Sequence, residues 1–288
     1  HLTAAADQLD AAENRDDDAL AAAVLTRLCR ALDVSGNWSE RARVADRPLA
    51  RLTALPDPGA AVLVLTLRAK AANQAADFAT ARALIDEAGQ RAGATGDAAI
   101  LAIARVARMD IVNDMLDAPP AEILALYDQT RSYAESGADP HITQMRLYEI
   151  GAFHRQMGDI AQAYAAADSM IALGRARSDS RALAFGGWLR ASISAMIEDY
   201  DAALAEADES LRHSLPDTMD HATATIFRIG ALMMKGDRGV TSEFLEAHAQ
   251  RRLARGDKTV AIIAAFYAAV VHFMRGRIRA GTAGLAAT

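Results

Sequence analysis

Residues 158–173 read GDIAQAYAAADSMIAL and residues 198–211 read EDYDAALAEADESL, one turn and one apolar stripe repeated 40 positions later. The apolar side chains fall at offsets 0, 3, 4, 7 and 11: Ile160, Ala163, Tyr164, Ala167 and Ile171, then Tyr200, Ala203, Leu204, Ala207 and Leu211. That spacing lays a single apolar face along an α-helix. The turn recurs at Gly36-Asn37-Trp38, Ala76-Asp77-Phe78, Gly158-Asp159-Ile160, Glu198-Asp199-Tyr200, Gly236-Asp237-Arg238 and Gly276-Arg277-Ile278. The steps are 40, 82, 40, 38 and 40, and the 82 holds two periods with one degenerate copy near Asp117. A fixed period in this range marks a helical solenoid, whose units bury their apolar faces against their neighbours.

Each period divides into two helices, so the pattern predicts an all-α chain, a right-handed α-solenoid of about seven antiparallel helix pairs. The expected pairs are 17–53, 59–94, 97–136, 140–176, 180–214, 219–255 and 257–288, with residues before 17 forming the second helix of an earlier pair. No linker of domain-separating character interrupts them, so residues 1–288 read as one superhelical domain. The chain opens and stops inside helical patterns, and both ends read as truncated from a larger protein. Pro56, Pro58, Pro140 and Pro216 fall between pairs, and Pro119 and Pro120 start the second helix of the degenerate copy. Asp97, Ser180 and Asp257 are expected N-caps. Pro48 lies inside a second helix, where it predicts a kink or early break. The stripe Trp38, Ala42, Ala45 and Leu49 is broken by Arg41, while Phe78, Ala81 and Ile85 keep a partial copy.

Seven residues before the turn stand Cys29, Ala69, Gly151, Ala191 and Ala269, all small. A small residue at a fixed place lets two helix backbones approach, and Gly186-Gly187 ahead of Trp188 serves a similar contact. Cys29 sits in this register without the charged surroundings of a reactive thiol, so packing accounts for it.

Chemistry is sparse. Neither GxxxxGK[ST] nor GxGxxG occurs, and HExxH, paired-cysteine zinc spacing, GxSxG and an EF-hand loop are missing too. The reading is therefore no catalytic residue, no cofactor and no metal. Hydrophobic residues make up 52% and aromatics 5%, so the apolar surface is mainly alanine and leucine. A net charge of −6 gives no general case for nucleic-acid binding. The apolar run from Ala261 to Val271 is far too short to span a bilayer, and one cysteine leans toward a cytoplasmic location.

His213 and His221 bracket Leu215-Pro216, with Asp217 and Asp220 nearby, but without the tight spacing of a metal site. His154 and His272 fall late in first helices, positions for partly buried, hydrogen-bonded imidazoles. Asp16, Asp17 and Asp18 suit a helix amino end, and Asp208-Glu209 an exposed face. From His221 onward ten basic residues face four acidic ones. Arg251, Arg252, Arg255 and Lys258 could form a basic rim for an acidic partner or another domain, although a solvated helix face is the better account of such a run.

The phrases at 158–173 and 198–211 resemble the tetratricopeptide consensus, in which a Gly-Asp/Arg-aromatic turn precedes alanines and leucines at helical spacing. The period is about 40 rather than 34, so the peptide-carboxylate clamp residues of that family are not carried over. Residues 180–288 resemble the carboxy-terminal helical region of large bacterial signalling proteins. The stretches are RALAFGGWLRASISAMIEDYDAALAEADESL, IGALMMKGDRGVTSEFLEA and FYAAVVHFMRGRIRAG. Such regions follow a class III adenylate/guanylate cyclase domain and an ATPase module, and similar ones occur in LuxR-type ATP-binding transcription regulators.

The resemblance implies a noncatalytic regulatory region that docks a protein partner or an attached effector domain, with no nucleic acid and no membrane bound by this segment. The candidate contact residues are Arg146, Tyr148, Trp188, Arg190 and Phe227 near the first helices, with Arg251, Arg252 and Arg255 on the basic rim. A pocket for a small-molecule effector beside Gly186-Gly187 and Trp188 is the alternative.

Overall fold

A computed structural model of the chain describes residues 18–34, 40–41, 44–49, 57–115, 119–216, 218–254 and 258–286. The elements formed by these residues are all helices. They fall into two compact units, residues 1–153 and 154–288.

The first unit contains α1 (Asp18–Val34), α2 (Asp46–Leu49), α3 (Pro58–Gln74), α4 (Phe78–Thr95), α5 (Ala98–Met115), α6 (Pro120–Gln129) and α7 (Arg131–Glu135). Helix α8 (Pro140–Gln156) begins in it and ends in the second. The second unit continues with α9 (Ile160–Arg177), α10 (Ser180–Met196), α11 (Tyr200–His213), α12 (Met219–Met234), α13 (Ser242–Ala254), α14 (Lys258–Met274) and α15 (Ile278–Ala286). The pairs expected at 59–94, 97–136, 140–176, 180–214 and 219–255 are found within one residue at either end. The first and last pairs lie partly outside the described residues.

One turn joins the two helices of a pair, and its mechanics explain the repeated phrase. The second residue after the first helix takes a left-handed backbone: Ala76, Gly158, Glu198, Gly236 and Gly276 have φ between 58° and 78°. In the Glu198 turn, the Glu198 N–H bonds to the carbonyl of Ala195 and the Asp199 N–H to that of Ser194, closing the helix end. The same two bonds recur at the other four turns. The aspartate then caps the second helix: Asp77, Asp159 and Asp199 accept the N–H groups of Thr80, Gln162 and Ala202. Such a cap contributes about 1 kcal/mol. After Gly236 the pattern stretches, and α13 starts only at Ser242 behind a cap by Thr241.

The small-residue register is buried throughout. Cys29, Ala69 and Ala191 are fully enclosed, Ala269 nearly so, and Gly151 is buried. Burial raises the Cys29 thiol to about 11, which keeps it protonated. A Cβ on Gly186 would meet the Ile171 side chain at 2.5 Å and the Ala167 carbonyl at 3.1 Å, and one on Gly187 would meet Ser210 at 3.0 Å. These adjacent glycines bring α10 close to α9 on one side and α11 on the other. Each unit has an aliphatic core, with Leu65, Ile85 and Ile111 in the first and Ile226, Leu245 and Val260 in the second.

Three expectations at helix ends are sharpened. The break near Pro48 falls at Ala45, next to the Val44 carbonyl that a proline at position 48 would crowd. Asp97 is an N-cap, bonded to the N–H groups of Ala99 and Ile100. Ser180 is not: Asp179 caps α10 through Arg181 and Ala182, because a carboxylate one residue earlier reaches the first free N–H groups. Asp257 lies outside the described residues. Pro119 and Pro120 do start α6, which breaks at Thr130 where the Arg146 guanidinium takes the Tyr127 carbonyl.

Among the described residues no helix is long and apolar enough to cross a membrane.

Candidate functional site

In the first unit, charge is buried between first helices. The carboxylate of Asp33 on α1, 1% exposed, pairs with the Arg41 guanidinium and lies 3.7 Å from Lys70 Nζ of α3. Arg30 stands 3.7 Å away and His141 Nε2 of α8 3.5 Å away. Arg30 also reaches Asp139 at 3.3 Å, so two contacts join residues more than a hundred positions apart. Arg41, read as a break in an apolar stripe, is itself buried and also donates to Gln74 at 2.6 Å.

The seam continues across α5. Lys70 Nζ lies 3.3 Å from Asp110. Asn73 donates to Asp114 at 2.7 Å, and Asn113 donates to the Glu149 carbonyl at 3.1 Å and to its carboxylate at 3.2 Å. Three and six residues before their turns, Asp33, Asn73 and Asn113, with Arg30, Lys70 and Asp110, form two polar rows. These rows were present in the repeat but only the small-residue row beside them was read from it.

Burial is the first influence on Asp33, Asp114 and Glu149, and neighbouring charge then decides the outcome. At Asp33 burial opposes ionisation, but Lys70, Arg41 and the His141 hydrogen bond outweigh it and hold the carboxyl well below its ordinary value. At Glu149 burial and the carboxylates of Asp110 and Asp114 act together and push the group well up. Asp114 lies at the exposed mouth of the seam with its carboxylate turned in to Asn73. Enclosure of that carboxylate and the charge of Asp110 raise it to about 7. Burial lowers His141 below the ordinary imidazole value despite the Asp33 contact.

The second unit arranges charge differently. A half-open groove of about 350 Å³ lies over Gly187, edged by Asp168, Ile171, Arg175, Arg190 and Glu206. Arg190 pairs with Asp168 and donates to Glu206 at 2.8 Å, with its guanidinium 5.0 Å from the Tyr164 ring centre. Ser194 donates to Glu206 at 2.5 Å and exchanges a hydrogen bond with the Tyr164 hydroxyl at 2.7 Å. Beside the groove, Trp188 is 8% exposed, stacked 5.9 Å from Phe227 and tilted against Phe185.

Arg190 belongs to a row that was missed. Arg68, Arg108, Arg190 and Arg228 all stand eight residues before a turn. They reach Asp46, Asp86, Asp168 and Asp208, each on the preceding second helix. Equal spacing of the arginines, and of the aspartates about 20 residues before them, was the available signal.

Of the other candidates, Arg146 is 6% exposed, its guanidinium bonded to the Tyr127 carbonyl and Thr130 hydroxyl and set 3.5 Å from the Tyr127 ring centre. Tyr148 is half-buried. Arg251 is exposed and Arg252 buried in α13, and Arg255 lies outside the described residues. His213 pairs with Glu209 at 3.0 Å and His221 with Ser214 at 3.2 Å, while Asp220 holds Arg181; Asp217 is not described. His154 and His272 are partly buried against Asp159 and Glu246. Among the described residues no group of three or more His, Cys, Asp and Glu side chains could hold a metal ion. Several carboxyl-end bases are committed locally: Lys235 to Asp201, Arg275 to the Val240 carbonyl and Arg277 to Ser242.

No family model matches the chain, and no curated protein matches it significantly. Among solved structures it is similar to the signal transduction ATPase with numerous domains (STAND) protein with a tetratricopeptide repeat sensor, PH0952 from Pyrococcus horikoshii. The TM-score is 0.53 at 12% identity, covering 91% of this chain and 42% of that one. This chain therefore spans under half the length of that protein, and the likeness at this identity concerns the fold: the chain has a tetratricopeptide-like fold of helix pairs.

Proposed function

We propose that this chain is the noncatalytic regulatory region of a multidomain bacterial signalling protein and docks a protein partner or an attached effector domain. The observation that carries this reading is the single repeat architecture running through both units, shared over most of the chain with a protein described as having a tetratricopeptide repeat sensor. Helix-pair repeats have no enclosed chemistry of their own and offer extended surfaces to partners. An adenylate/guanylate cyclase is the effector that the resemblance of residues 180–288 favours, acting in the cytoplasm.

The test uses the full protein that carries this chain, assayed for cyclic-nucleotide formation and ATP hydrolysis. Charge reversal at exposed Arg251 and at groove-edge Arg190 is expected to alter the effector's regulation while the chain alone shows no turnover. Turnover by the chain alone would sink the noncatalytic reading. Unchanged partner binding and output in both reversals would sink the docking role.

A second reading, small-molecule sensing as in LuxR-type regulators, is favoured by the groove over Gly187. It predicts that an effector molecule quenches or shifts Trp188 fluorescence, and that Gly187→Leu abolishes the response. Its weakness is geometric: Asp168, Arg190 and Glu206 bond to one another rather than converging on the space.

A further inference from the structure

The α5–α8 end of the first unit's seam holds more acid than base. Asn113 on α5 donates to the Glu149 carboxylate, Asp110 and Asp114 on the same helix are near enough for their charge to raise Glu149, and Lys70 is shared between Asp110 and Asp33. Glu149 is 2% exposed; its Oε2 accepts from Asn113, but its buried Oε1 has no partner among the described residues. The side-chain carbonyl oxygens of Asn73 and Asn113, residues 7% and 3% exposed, also lack donors among the described residues. The place is short of hydrogen-bond donors, and an ionised carboxylate buried beside two others is strongly disfavoured. A proton on Glu149 removes one charge and supplies an O–H donor among unmatched acceptors.

We propose that Glu149, with Asp110 and Asp114, forms a proton-binding site that holds α3, α5 and α8 together while Glu149 is protonated and loosens them when the proton leaves. Lys70 and Asn73 face it from α3, and Asp110, Asn113 and Asp114 from α5. Asp33 on α1 acts through Lys70, and His141, on the same helix as Glu149, meets Asp33. The proposal names a signal for the regulatory region above and rests on that reading only for its consequence. The protonation itself is measurable without any partner.

The pH window follows from the directions. Glu149 and Asp114 have folded values above their unfolded ones, so their contribution is present at low pH and lost as pH rises through the folded values. His141 runs the other way: its folded value is lowered, so stability is lost as pH falls below the ordinary imidazole value of 6.5. Asp33, also lowered, matters only in the acid range below its ordinary value of 3.8. Above about pH 6.5 the carboxyl site therefore acts without opposition from these two groups.

Infrared spectra of the whole chain provide the direct test. At about pH 7 a carbonyl band of a neutral carboxylic acid is expected; it should disappear as the pH is raised further and weaken in Glu149→Gln. Amide exchange in α5 and α8, corrected for intrinsic rates, should accelerate over the same range, by up to about tenfold per pH unit for one released proton. Glu149→Gln should flatten that profile, and Asp110→Asn should move the titration to lower pH, because it removes a negative charge that raises Glu149 and frees Lys70 to favour its ionised form. A wild-type spectrum without the neutral-acid band near pH 7 overturns the proposal, as does an exchange profile in Glu149→Gln parallel to wild type. If that variant fails to fold, the wild-type band and the Asp114→Asn profile still decide. An effector whose output ignores pH while the band titrates as expected would break the regulatory reading and leave the proton site standing.

Discussion

The two units are built from the same turn and the same small-residue row, yet they fill the next rows differently. In the first, the positions three and six residues before the turn hold Asp33, Asn73, Asn113, Arg30, Lys70 and Asp110. Before the Gly158 turn they hold Arg155 and Ala152, and at the later turns of the second unit Ala195, Met233, Phe273, Ser192, Gly230 and Val270. One unit buries an ion-paired seam, and the other an aromatic and aliphatic one around Trp188, Phe227 and Ile226. A buried charge pair adds little net stability over a well-packed apolar pair, but its members depend on one another. The difference is therefore one of vulnerability: one lost charge in the first unit strands several others.

The strongest way to break the contrast is Asp33→Ala. It leaves Arg41, Lys70 and Arg30 without their shared anion and should cost roughly 3–5 kcal/mol by urea denaturation. Amide exchange should show the loss concentrated in residues 18–153. An equal loss of protection in α10–α14 would show that the units do not differ as described.

Next in size is Gly186→Ala. The added Cβ meets Ile171 and the Ala167 carbonyl, and overpacking of this kind costs about 1–3 kcal/mol, here confined to the second unit. Cap removal should be blind to the contrast: Asp77→Ala and Asp199→Ala should each cost about 1 kcal/mol, whichever unit they lie in. Smallest are Arg108→Ala and Arg190→Ala, partly exposed members of the same row, at roughly 0–1 kcal/mol each and weaker in high salt. A much larger effect of Arg190→Ala on partner binding than on melting would turn a structural arginine into a functional one.

How much of this was legible depended on whether the signal was local. The helix pairs, their boundaries and the burial of Cys29 followed from period and residue size, because each rests on neighbours within one repeat. Arg41 shows the limit. In its own helix it is only an interruption, and its meaning appears once Asp33 and Gln74 are brought against it from other helices. The same holds for Glu149, whose condition is set by its burial and by Asp110 and Asp114 some 35 to 40 residues earlier. The arginine row was readable in principle, since both partners repeat at a fixed spacing.

The pairs Arg30–Asp139 and Asp33–His141 have a consequence for assembly during synthesis. Most contacts in a chain of helix pairs can form as soon as the next helix has been made, and such local contacts form fast. These two must wait until more than a hundred further residues have left the ribosome, and closing so long a loop carries its own entropic cost. Until then Asp33 has Arg41 and Lys70 but not its last partner. The amino-terminal unit thus finishes late although it is made first, whereas the carboxy-terminal unit can be completed one pair at a time.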